Sequence, residues 1–129
     1  MEKKWVNTDQ APQPVGPYAQ AVKAGGCLYV SGQIPLDPSS GQILTGSFAE
    51  QVKMTLDNLA AVLEAGGASL DSVVKVTVYL TDMSYFNEFN TIYTSYFERS
   101  RPARSCVAVS RLPKDVPLEI DAVALCEGS

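Results

Sequence analysis

The chain has 129 residues, 46% hydrophobic and 19% charged, which suits one globular domain over residues 1–129 and leaves no room for a second. A formal net charge of −4 argues against general attraction to nucleic acid or to an anionic membrane. The absence of histidine excludes Ser-His-Asp and Cys-His catalysis and histidine metal sites, leaving Asp, Glu, Tyr, Cys, Lys and backbone groups for any chemistry.

The predicted elements run as follows. A short strand is expected near Trp5, then a defined loop through Ala11-Pro12-Gln13-Pro14-Val15-Gly16-Pro17-Tyr18, whose prolines and glycine fix the backbone. A strand over about 19–24, a turn at Gly25-Gly26 and an alternating β-rich run from Cys27 to Ile34 form a hairpin. A loop follows through Asp37-Pro38-Ser39-Ser40-Gly41. Ser47 and Glu50 have capping-box spacing, and Phe48, Val52, Leu56, Leu59 and Leu63 then recur at helical intervals up to Gly66. Residues 72–81 read as a strand with Val74, Val76, Val78 and Leu80 on one face. A second helix is expected over 84–98, with Phe86, Phe89, Tyr93, Tyr96 and Phe97 as its apolar stripe and Asn90 at the stripe's edge. Two strands around Arg104 and Glu119 complete the chain.

This order predicts an α+β domain of about six strands in a mixed sheet with two helices. Two helices cover one face only, yet segments such as Val107-Ala108-Val109 are apolar on both faces. A closed homo-oligomer is therefore expected to cover the second face. Cys27, Cys106 and Cys126 are odd in number and too dispersed for a zinc knuckle, which points to a reducing compartment. The N-terminus lacks an apolar signal segment and no run reaches membrane-spanning length, so a cytoplasmic protein is expected.

Arg104 and Glu119 each stand among apolar strand residues, where an unpaired charge is costly. Arg104 shares a strand face with Cys106 and Ala108, while Glu119 lies on the face opposite Leu118 and Ile120. An arginine fork grips a carboxylate or phosphate, and a nearby carboxylate accepts a proton or orients water, so the pair suggests a small-anion site. A structural ion pair is the rival account, and Lys114 is an alternative partner for Glu119. Five of the ten basic residues fall between Arg99 and Lys114, giving a local positive field or a solvated loop rim.

Four segments in order, Gly16-Pro17-Tyr18, Val30-Ser31-Gly32-Gln33-Ile34, Pro102-Ala103-Arg104-Ser105-Cys106 and Leu118-Glu119-Ile120, resemble those of the RidA (YjgF) family of reactive-intermediate deaminases. The resemblance covers almost the whole chain. It implies a chorismate mutase-like fold, a homotrimer with a central barrel of sheets, and ligand clefts between subunits. It further implies hydrolysis of 2-iminobutanoate and 2-iminopropanoate to 2-oxo acids and ammonia, with no cofactor and no metal. On that resemblance Arg104 grips the substrate carboxylate and Glu119 orients or deprotonates the attacking water. Backbone groups of Gly32 and Cys106 hold the imine, Tyr18 shapes the cleft, and Ser31 and Asn90 brace it.

Each residue also has a plainer reading. Tyr18 packs a loop, Cys106 fills space in a strand, Ser31 bonds a bend and Asn90 bridges elements. Two positions depart from the family pattern: Arg101 precedes Pro102 where many relatives are apolar or aromatic, and Asp121 stands where glutamate is common. Competing functions are a non-catalytic small-carboxylate sensor or chaperone-like trimer, and a ribonuclease, which an acidic chain without histidine is poorly equipped to be.

Overall fold

In the computed structural model, which describes residues 2–126, alternation of apolar and polar residues builds strands of which six meet in one sheet. The strands are β1 (Lys3–Val6), β2 (Ala21–Ala24), β3 (Cys27–Gln33), the short β4 (Leu36–Asp37) and β5 (Gln42–Ile43), β6 (Val73–Leu80), β7 (Ala103–Ala108) and β8 (Leu118–Leu125). Helices α1 (Phe48–Ala65) and α2 (Phe86–Phe97) precede β6 and β7 respectively. Six strands form the main sheet in the order β1-β2-β3-β8-β6-β7, and β4 and β5 pair separately as a hairpin that closes the loop expected at Asp37-Pro38-Ser39-Ser40-Gly41. Only β6 and β7 are parallel, with α2 as their crossover; the other pairs are antiparallel.

Both helices bury an apolar stripe, and α1 is capped as well. In α1 the Ser47 hydroxyl accepts from Glu50 N and the Glu50 carboxylate accepts from Ser47 N, closing the expected capping box. Val52, Leu56, Leu59, Val62 and Leu63 then bury one stripe against the sheet, together with Phe89, Tyr93 and Phe97 of α2. From the sheet, Leu28, Val30, Val76, Val78, Leu80, Leu118, Ile120 and Ala122 meet them. The core thus occupies one face of the sheet.

The expected alternation of β6 fails at its first turn. The β6–β8 register shifts between Val73 and Lys75, so Val73 is buried and Val74 is 43% exposed, although sequence alternation placed Val74 on the buried face. From Val76 onward the expected pattern holds.

The other sheet face carries no helix, and its apolar residues are open. Trp5, Val22, Tyr29 and Val123 lie opposite one another across β1, β2, β3 and β8, and Trp5 and Tyr29 are 78% and 50% exposed. Val107 and Leu125 are exposed as well. No helix among the described residues is long and apolar enough to cross a membrane.

Candidate functional site

A buried side chain, Gln20, anchors the N-terminal loop. Gln20 donates through Nε2 to the carbonyls of Thr8 (2.9 Å), Ala11 (3.3 Å) and Pro12 (2.8 Å), and its Oε1 accepts from Thr8 N (2.7 Å). This fixes the loop that presents Tyr18, which is half-exposed. Ser31 secures the same loop: its hydroxyl donates to Ala19 O (2.7 Å) and its N–H to Gln20 O (2.9 Å). Beneath the hairpin, Asn58 of α1 donates to Ile34 O and Leu36 O. Tyr18, Ser31, Gly32, Gln33, Lys114 and Glu119 line one cavity of about 400 Å³.

Within this cavity Gly32 and Glu119 are in close approach. The β3–β8 register shifts between Val30 and Gln33, and the shift lays Gly32 against the Glu119 side chain. A Cβ at position 32 would overlap Glu119 Oε2 and lie 2.6 Å from its Cδ, so any side chain there would have to push the Glu119 carboxylate from its place. Burial, with a further push from the neighbouring Asp121 charge, raises the Glu119 pKa above the ordinary glutamate value. Lys114 and the adjacent Asp115 adopt left-handed backbone, with φ of 57° and 56°, where the chain turns at the cavity lip.

Arg104 lies elsewhere. Its strand partner Val76 is buried beneath the helices, and its guanidinium sits 4.7 Å from the Tyr93 ring centroid and 5.5 Å from that of Phe86. Arg104 Nη1 donates to Asn90 Oδ1 at 2.8 Å. Two aromatic rings and one amide therefore fix the guanidinium plane, leaving its other donors for a ligand. Arg104, Asn90, Tyr93 and Arg101 line a second cavity of about 480 Å³. The buried Tyr93 hydroxyl has no hydrogen-bond partner among the described residues.

The sequence-predicted site residues thus fall into two separate groups. Tyr18, Ser31, Gly32 and Glu119 form one; Arg104 and Asn90 form the other, with Cys106 two residues along the Arg104 face. Glu119 alternates with the buried Leu118 and Ile120 and so projects from the sheet face that bears no helix, whereas Arg104 projects toward α2. Within one chain they are on opposite faces. Neither the Arg104–Glu119 ion pair nor a Glu119–Lys114 pair occurs among the described residues.

The basic cluster also resolves into separate contacts. Arg99 pairs with Asp71 (3.5 Å) and Arg111 with Asp115 (2.7 Å), while Arg101 and Arg104 share the second cavity. Cys106 is half-buried and burial pushes its thiol pKa up, which disfavours a thiolate and agrees with the space-filling reading. β7 is an edge strand whose outer side pairs with nothing among the described residues, so backbone groups beside Arg104 and Cys106 stay available. Sequence reasoning assigned Tyr93 to the core stripe and missed its stacking on Arg104. Its position three residues after Asn90, on the same helix face, was the available signal.

Comparison with known proteins completes the picture. The sequence profile of the family described as Endoribonuclease L-PSP matches residues 8–126. A RutC family protein of Pyrococcus horikoshii is 52% identical over 97% of this chain and 99% of its own length. The human 2-iminobutanoate/2-iminopropanoate deaminase is 45% identical over 95% of this chain and 90% of its own. The crystal structure of Escherichia coli TdcF with bound serine superposes with a TM-score of 0.89, at 41% identity, covering 95% of this chain and 98% of that one.

Proposed function

The chain belongs to the Endoribonuclease L-PSP family, the RidA (YjgF) family its motifs resemble, and from that membership we propose that it hydrolyses small 2-imino acids such as 2-iminobutanoate and 2-iminopropanoate to 2-oxo acids and ammonia. The observation that carries this reading is the half-buried Glu119 held against Gly32, without an ion-pair partner among the described residues and with its pKa raised above the ordinary glutamate value by burial and the Asp121 charge. Because Arg104 faces the opposite side of its own sheet, the complete site joins Arg104 and the Cys106 backbone of one copy to Glu119, Gly32 and Tyr18 of another. The family resemblance makes that assembly a trimer. The exposed apolar row through Trp5, Val22, Tyr29 and Val123 offers the surface for it.

The chemistry asks little of the protein. The substrate carboxylate takes the open donors of Arg104, and the iminium carbon is already electrophilic. Water oriented by Glu119 adds to that carbon while its proton passes to the carboxylate. Glu119 then hands that proton to the amino nitrogen and takes the proton of the new hydroxyl as the C=O bond forms and the C–N bond breaks, and ammonia and the 2-oxo acid depart. The serine bound to TdcF supports the reading, since that relative accommodates a ligand with an α-carboxylate. The family's description as an endoribonuclease favours ribonuclease activity as a second reading, but an acidic chain without histidine lacks the usual acid–base pair for RNA cleavage.

The test generates iminopropanoate with an amino-acid oxidase and traps it with semicarbazide. The protein should lower the semicarbazone signal, and Arg104→Ala should cut that activity by about tenfold to a hundredfold, the worth of a charge-assisted hydrogen-bond pair. Full activity in Arg104→Ala would remove the carboxylate clamp. RNA cleavage that survives further purification and vanishes in Arg104→Ala would favour the second reading.

A further inference from the structure

The helix-free sheet face around Glu119 holds a second carboxylate and a phenol that the chemistry above does not use. Tyr79 of β6 lies directly opposite Glu119 in the β6–β8 register, and Thr77 lies opposite Asp121. The Tyr79 hydroxyl passes over its direct partner and donates to Asp121 Oδ2 at 3.0 Å. Asp121 is two residues beyond Glu119, on the same face and about 7 Å along the strand. We propose that Tyr79 and Asp121 form a positioning pair for Glu119, the Tyr79 hydroxyl fixing the Asp121 charge on the face where Glu119 exchanges its proton with water.

The surroundings leave Asp121 as the partner that matters. Burial and the Asp121 hydrogen bond raise the Tyr79 pKa, so the phenol stays a donor throughout the neutral range. Lys114 lines the Glu119 cavity from the following loop, yet it makes no ion pair with Glu119 among the described residues. Lys75, on the same face of β6, turns its ammonium to Ser105 Oγ of β7 at 3.3 Å. From β3 and the N-terminal loop come Gly32 and Tyr18, while Tyr29 stands on the same sheet face opposite Val123. A like charge held at fixed distance on a half-buried face disfavours ionisation of its neighbour, and the hydrogen bond stops Asp121 from swinging into water where that effect would be screened.

The proposal rests on the reading of Glu119 as the proton-exchanging group. It is tested by following the Glu119 carboxyl carbon by NMR through a pH titration of the free protein, alongside the pH profile of kcat/KM for imine hydrolysis. In Asp121→Asn the Glu119 midpoint and the acid limb of the profile should both move to lower pH, and Asp121→Glu should restore them. Tyr79→Phe should move the midpoint the same way by less, and it serves if Asp121→Asn does not fold. A midpoint unmoved in Asp121→Asn, or in Tyr79→Phe where that variant substitutes for it, would overturn the proposal. A shifted midpoint in a protein that hydrolyses no imine would uphold the pair and defeat the deaminase reading; turnover with an unmoved midpoint would do the reverse.

Discussion

Glu119 combines a raised pKa with the lack of any ion-pair partner among the described residues, and that combination has a thermodynamic sign. A carboxyl whose folded pKa lies above its unfolded value of about 4.3 lends stability that is fully present below that value and lost as pH rises through the folded pKa. Glu119→Gln should therefore melt higher than the parent at pH 8, with the difference shrinking to nothing by about pH 4. A structural ion pair would give the opposite result at pH 8, so differential scanning fluorimetry across pH separates the two accounts. Gly32 gives a companion prediction. Gly32→Ala forces the Glu119 carboxylate aside and should lower kcat for imine hydrolysis by about a hundredfold while leaving the secondary structure intact, as judged by circular dichroism.

At the scale of elements, the site depends on segments that have little regular structure of their own. The loop carrying Tyr18 is held through the four hydrogen bonds of Gln20. Gln20→Ala leaves buried carbonyls unpaired and should cost about 1–3 kcal/mol, read by urea unfolding, with faster amide exchange confined to residues 8–19. The amino-acid pattern displayed some of these elements openly. The capping box at Ser47, the aromatic stripe of α2 and the hairpin at Gly25-Gly26 follow from local chemistry, and each is found where the pattern puts it. Val74 was misplaced because a bulge is decided by the partner strand, which alternation within one strand does not see. The β4–β5 pairing that closes the expected loop at 37–41 leaves no mark in the sequence, because its strands are two residues each, too short for any periodic signal.

For the whole molecule, the bare sheet face and the division of the site belong together. Motif resemblance identified Tyr18, Ser31, Gly32, Asn90, Arg104, Cys106 and Glu119 as one group, yet the alternation that names their faces also sends Arg104 and Glu119 to opposite sides of the sheet. Linear sequence marks the face each residue takes, but whether two faces meet depends on how copies pack, which no single chain encodes locally. A site closed by a second copy reconciles the group with the geometry. It also gives the exposed Trp5, Tyr29, Val107 and Leu125 a reason to be apolar.

The most direct test mixes two impaired proteins. Arg104→Ala and Glu119→Gln each remove one half-site, and each alone should show little imine hydrolysis. If Arg104 and Glu119 act from different copies, unfolding the two variants together and refolding them at equal concentration should restore about a quarter of wild-type activity, the share of randomly formed interfaces that pair an intact Arg104 with an intact Glu119. Light scattering on the same sample should report an oligomer. A mixture that refolds as an oligomer yet remains as inactive as its two components would contradict a site shared between copies.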